Sequence, residues 1–184
     1  SGTSLAGWLQ RNLPVFWRAN AEVVRRHPLR YLRTLAAALA MSWRYRPSGE
    51  ARLRKVFIKE FLQAGWIAQA VLREGDVSHL HGHFCHGVAT ITWFASRLTG
   101  IPFSFTAHAK DIWTSSAWEK REKLEACDFA VTCTRANLEH LRALAPEERV
   151  QLVYHGIDLA RFPPPPPFVA VRDGGDPAEP VIIL

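Results

Sequence analysis

From residue 77 onward, short apolar runs alternate with helical stretches of about 10–15 residues, and no other feature of the sequence restricts the fold so tightly. Val77–His81, Phe103–Thr106, Phe129–Thr132 and Val150–Tyr154 have strand character. Between them, Gly87–Leu98, Trp118–Ala126 and Arg135–Leu144 read as helices, the first of them ended by Gly100-Ile101-Pro102. Parallel strands need crossover connections of that length, so the expectation is a set of βαβ units around a parallel sheet. Ligands on such sheets bind at the carboxyl ends of the strands.

The first third reads differently. After Pro28, the residues Leu29, Leu32, Leu35/Ala36, Leu39 and Trp43 recur at helical spacing, while Arg26, Arg30, Arg33 and Arg44 fall on the other side. Pro28 suits a first turn and Pro47-Ser48-Gly49 a stop. A second helix is expected from Glu50 to Glu74, with Val56, Phe57, Phe61, Leu62, Ile67 and Val71 facing a core and Gly75-Asp76 closing it.

Charge follows the same division. Residues 1–74 carry 13 Lys/Arg against four Asp/Glu, the remainder 10 against 13, for a net +6. The basic segment also holds Trp8, Trp17, Trp43 and Trp66. That combination suits an anionic membrane surface; a solvated basic helix face is the equal alternative. No stretch reaches the ~18–20 apolar residues of a membrane span, and no signal peptide is visible. Three cysteines, Cys85, Cys127 and Cys133, make an odd number without paired spacing, which suits small buried thiols in a reducing compartment.

At 184 residues the chain has room for one ordinary domain, and 48% hydrophobic residues exclude disorder. Pro163–Pro167, followed by Gly174-Gly175-Asp176-Pro177, has the composition of a semi-rigid linker. Val181–Leu184 reads as a strand just beginning, and the chain opens Ser1-Gly2-Thr3-Ser4 without Met. The expected organisation is therefore a basic helical part (1–74), a parallel α/β part (75–162), a linker (163–180) and the first strand of a further domain (181–184).

Three polar clusters follow three of the expected strands: His79-Leu80-His81-Gly82-His83-Phe84-Cys85-His86, Thr106-Ala107-His108-Ala109-Lys110-Asp111, and Tyr154-His155-Gly156-Ile157-Asp158. Six of the eight histidines lie in them. Titratable residues gathered at strand ends mark an active-site cleft. A metal site on His81, His83, Cys85 and His86 is disfavoured, because structural zinc sites draw on two separated ligand pairs and this is one cluster.

The phrases TGIPFSFTAHAKDIW, KLEACDFAVTCTRANLEHL and VQLVYHGIDLARF, preceded by HLHGHF, resemble glycosyltransferase family 4, and within it the branch that builds exopolysaccharides such as colanic acid. The resemblance spans about residues 28–162. It implies the acceptor-side, Rossmann-like half of a retaining, two-domain GT-B enzyme that uses a nucleotide-sugar as donor, without a metal or other cofactor. The acceptor it implies is lipid-linked or a growing polysaccharide.

Matched onto the family pattern, His108 is the histidine beside the sugar, and Asp111 an orienting or acceptor-binding carboxylate or a cap on the segment that follows. Lys110, His155, Gly156 and Asp158 complete the substrate-binding set, with Gly156 permitting a sharp turn. His83 and His81, after the first strand, join them by position. His155 stands where the family commonly has Asn. The family's first strand with its glycine-rich loop has no counterpart here, and its donor domain, with a basic pair and an E-x7-E motif, is not represented. This stretch alone is therefore expected to be inactive. The implied setting is the cytoplasm, at the inner membrane face where the acceptor is lipid-linked, with no nucleic-acid partner. The alternatives are a GT-B sugar-nucleotide epimerase and a non-catalytic membrane-binding module.

Overall fold

The computed structural model describes residues 5–46, 54–156 and 158–161. By internal contact the chain divides into Ser1–Tyr154 and His155–Leu184. In the first unit the expected alternation is present as β1 (Leu80–His83), α4 (Gly87–Thr99), β2 (Phe103–Ala107), α5 (Ala109–Thr114), α6 (Ala117–Ala126), β3 (Phe129–Thr132), α7 (Arg135–Arg142) and β4 (Val150–Leu152), preceded by α1 (Leu5–Arg26), α2 (Pro28–Arg44) and α3 (Lys55–Glu74). All four strands are parallel, in the order β1-β2-β3-β4. The fold is a Rossmann-like α/β arrangement.

Sequential strand order joined by right-handed crossovers places the crossover helices on one face of the sheet. The register sorts the side chains accordingly. Leu80, Gly82, Phe103, Phe105, Ala107, Ala130 and Val150 share the buried face, where α4 packs on β1 and β2. His81, His83 and Phe129 are exposed on the other.

Two sequence expectations are corrected at strand level. The first strand begins at Leu80, not Val77, and β4 ends at Leu152, not Tyr154. The segment after β2, to which the sequence pattern assigns no element, is the helix α5.

The basic N-terminal part contributes three helices, which join the sheet in the same compact unit. The helix expected from Glu50 runs Lys55–Glu74, residues 50–53 lying outside the described set. It is the hub against which α1, α2 and α4 pack, through Phe57, Phe61, Ala64 and Ala68. One buried polar group ties the three N-terminal helices. Asn20 Nδ2 donates to Phe16 O (2.8 Å) and Leu62 O (3.0 Å), and its Oδ1 accepts from Tyr31 OH (3.1 Å).

On α2 the leucine stripe is not the face turned to the core. The inward residues are Thr34, Ala38, Met41 and Ser42, of which Thr34, Ala38 and Ser42 are small enough to let the helix approach its neighbours closely. The leucine stripe faces solvent: Leu29 is 68% exposed, Leu32 59% and Trp43 53%. Nor do the arginines form an unengaged basic face. Arg44 pairs with Glu122 (2.8 Å), Arg26 with Glu22 (2.8 Å), and Arg30 donates to Thr99 O. Hydrogen bonds from Arg73 and Gln69 hold the Glu22 carboxyl down at about 2, so that charge persists throughout the neutral range.

In the second unit the described residues include a 3-10 turn, Leu159–Arg161, begun by Asp158, whose Oδ1 accepts from Ala160 N (3.0 Å). The expected linker and the strand at Val181–Leu184 lie outside the described residues.

Candidate active site

Parallel strands deliver their following loops to one edge, and here His83, Ala107 and Thr132 close β1, β2 and β3. The loop after β1 turns at Phe84, whose φ of +83° lies in the left-handed region that a bulky residue rarely enters. Its amide is fixed by Thr106 O (2.8 Å). Its exposed ring lies 5.4 Å from the His108 ring and stacks at 6.2 Å on His86. Such strain costs about 1–3 kcal/mol and persists where the surroundings over-determine it, commonly at functional sites.

The loop after β2 presents His108, half-buried, as the residue that opens α5. Cys133, directly after β3, places Sγ 4.0 Å from His108 Nδ1. His108 thus sits against Phe84 from one strand loop and Cys133 from another. Lys110 is exposed on the first turn of α5.

Asp111 takes the capping role. It is 1% exposed, with Oδ1 accepting from His108 N (3.0 Å) and Oδ2 from Cys85 N (2.5 Å). One buried carboxylate therefore ties the β1 loop to the β2 loop and fixes the backbone that carries His108. We read it as a positioning residue. The far side of the Cys85 peptide is held as firmly: Lys123, 0% exposed, donates to Cys85 O (2.6 Å), His86 O (2.8 Å) and Glu119 Oε1 (2.7 Å). Lys120 does the same for the end of α5, donating to Ile112 O (2.5 Å) and Ser115 O (3.0 Å). Burial, with Asp111 beside it, pushes the Cys85 thiol well up, so it stays protonated and inert.

His81 is not at the strand end. It lies within β1 on the open sheet face, its Nδ1 at 2.7 Å from Ser104 Oγ and its Nε2 at 2.8 Å from Thr106 Oγ1. Burial, then the neighbouring His83 and His79, lowers its pKa and favours the neutral ring. His83, the last residue of β1, is exposed with its ring 5.1 Å from that of His81. The set His81, His83, Cys85 and His86 mixes a buried thiol with exposed imidazoles, one of them engaged at both nitrogens.

His155, Gly156 and Asp158 belong to the second unit. Gly156 has no positive φ, and a Cβ built on it meets nothing within 4 Å, so the turn-forming role expected of it is not one the backbone requires.

The sequence reading passed over Phe84, Cys133 and the lysines of α6. Cys133 was within reach of the rule that selected His108, since both directly follow strands. The lysines gave no signal, because their partner carbonyls lie up to 38 positions away.

With this geometry in hand, comparison with known families finds that the profile described as Glycosyltransferase Family 4 matches residues 23–161. No curated protein matches the chain.

Proposed function

The chain belongs to glycosyltransferase family 4, and from that membership we propose that it is the acceptor-side half of an enzyme moving a sugar from a nucleotide diphosphate to a lipid-linked or polysaccharide acceptor. The observation that carries this reading is the position of His108. It follows a central strand of a parallel sheet, at the edge where ligands bind, on backbone fixed by Asp111. An imidazole so held donates a hydrogen bond to the donor sugar or to the acceptor hydroxyl as charge develops.

Retention of configuration follows if the departing phosphate helps remove the acceptor proton on the face it leaves. The protein then contributes positioning and charge stabilisation. Lys110 and His83 are exposed near this edge and take substrate oxygens, and the segment His155, Gly156 and Asp158 belongs to the same proposed set. The diphosphate charge is met by basic side chains and helix N-termini in place of a metal.

The test is transfer of a labelled sugar by the full-length enzyme. His108→Ala should lower kcat by ~100-fold or more at unchanged thermal stability, the size expected for loss of one donor in a preorganised site. His108→Gln, which keeps a donor, should recover part. Undiminished kcat in His108→Ala overturns the reading.

The exposed stripe on α2 favours a membrane-bound acceptor. Among the described residues no helix is long and apolar enough to cross a membrane, so contact would be interfacial. With Arg26 and Arg44 engaged by carboxylates, attachment should depend on Leu29, Leu32, Leu39 and Trp43. Co-sedimentation with phosphatidylglycerol-containing vesicles should survive high salt and fall ~10-fold in Leu39→Ala/Trp43→Ala. Binding that vanishes with salt but ignores those substitutions would assign the attraction to the basic residues.

A further inference from the structure

Behind the loop that carries Phe84 and His86, a cavity of about 270 Å³ opens between the start of α3, the start of α4 and the α5–α6 connection. Its walls include Phe57, Glu60, Gly87, Ser115 and Ser116. We infer that this cavity is a binding subsite for one neutral, hydroxyl-bearing sugar ring, with Glu60 as the principal acceptor of its hydroxyl hydrogens. This deepens the glycosyltransferase reading and rests on it for the sugar's identity as part of the acceptor.

Glu60, on the cavity wall, is 6% exposed. A carboxylate offers about four lone-pair sites, yet among the described residues no hydrogen bond is donated to this one. Lys123, the cation that favours its charged form most, spends its three donors on Cys85, His86 and Glu119. Without a protein donor the carboxylate takes its hydrogen bonds from whatever fills the cavity, and burial pushes the Glu60 carboxyl up to about 7 against the pull of Lys123. The arrangement is nonetheless built for the carboxylate. A Cβ on Gly87, the first residue of α4, would stand 2.7 Å from Glu60 Oε1, so any side chain there would push the carboxylate out of its present place. Donors from a ligand would complete it.

Charge and size select the ligand. Glu60 and Glu119 line the cavity, opposed by Arg54 on the wall and by Lys123 behind. An anion would meet two carboxylates and an ammonium would meet Arg54, so a neutral polyol is favoured. The hydroxyls of Ser115 and Ser116 can give and accept, and the first-turn amides of α4 are donors without intrahelical partners. Phe57, overlain by Arg54 at 5.7 Å, supplies an apolar wall for C–H groups. The volume falls just below the ~300–1,000 Å³ of typical small-molecule sites, room for a single monosaccharide. His86 belongs to this wall and also stacks on Phe84, which touches His108. The subsite therefore adjoins the reacting position, where a neighbouring sugar of the acceptor would lie.

Saturation-transfer NMR on the 184-residue chain, titrated with glucose, galactose and mannose beside glucosamine and glucuronate, tests it. At least one neutral sugar should bind in the millimolar range, with both charged analogues weaker. E60Q, which keeps shape but loses charge-assisted acceptance, should weaken that sugar ~10-fold. Gly87→Ala, which displaces the carboxylate without removing it, should do likewise, and circular dichroism should show both variants folded. Absence of neutral-sugar binding at tens of millimolar, equal binding by E60Q, or preference for glucosamine each overturns the inference. His108→Ala should leave this binding unchanged. Loss of sugar binding in E60Q alone and loss of transfer in His108→Ala alone are thus separate readouts. In the full-length enzyme, E60Q should raise acceptor KM while sparing kcat.

Discussion

Methionine in place of Lys123 is expected to destabilise the folded chain by about 3–5 kcal/mol, the range for breaking a buried ionic group from one side. The side chain is fully buried and all three ammonium hydrogens are used. Methionine fills most of the volume but leaves the Cys85 carbonyl without a donor, the His86 carbonyl with only Thr90, and Glu119 without its ion pair. The amide of Cys85 is held by Asp111 and its carbonyl by Lys123, so the loop loses one jaw of a clamp. Urea denaturation of Lys123→Met should show the loss at an unchanged m-value, with Tm lower by on the order of 10 °C. A loss below ~1 kcal/mol would mean that water replaces the ammonium without penalty.

The second large effect is expected at the helical hub. Alanine at Gly65 should cost about 3 kcal/mol, combining overpacking with loss of buried hydrogen bonds. A Cβ there would land on the Asn20 carboxamide. Asn20 cannot simply swing aside, because bonds to Phe16, Leu62 and Tyr31 fix both ends of its amide. Denaturant melts of Gly65→Ala, Asn20→Ala and the double variant decide it. The double variant should lose clearly less than the sum of the singles, since removing the carboxamide makes room for the methyl. Strict additivity would place the damage elsewhere than at this contact.

Periodicity made the sheet legible, and β3 begins and ends where the pattern of Phe129–Thr132 says it should. On α2 the same signal did not decide which face is buried. Two stripes of that helix are apolar enough to be buried, and spacing does not say which will meet a neighbour. Packing chose Thr34, Ala38, Met41 and Ser42, three of them small side chains that allow the closer approach. The helix α5 was hidden for a different reason: the carboxylate that starts it, Asp111, lies three residues inside. His108 was found from its place after a strand. Asp111 was seen as a candidate, but its role was not, because nothing local reveals that both its oxygens face amides. Glu60 was invisible as a site residue, since a glutamate on a mostly inward-facing helix gives no sign of the cavity it forms with segments 26 and more positions further along.

The sequential order of the strands has a consequence for how the chain is made. On the ribosome, residues emerge from the amino end, and each new strand of this sheet pairs with the strand synthesised just before it. β2 finds β1, β3 finds β2, and β4 finds β3 without an earlier strand waiting for a central partner still unmade. Near-neighbour pairing of this kind keeps loop closures short and leaves few open edges during synthesis. The exception is the N-terminal helices. The stack of Tyr45 on Trp118, at 3.5 Å, and the ion pair of Arg44 with Glu122 cannot form until α6 has been translated. The seam between the oldest helices and the middle of the chain is therefore among the later parts of this unit to close.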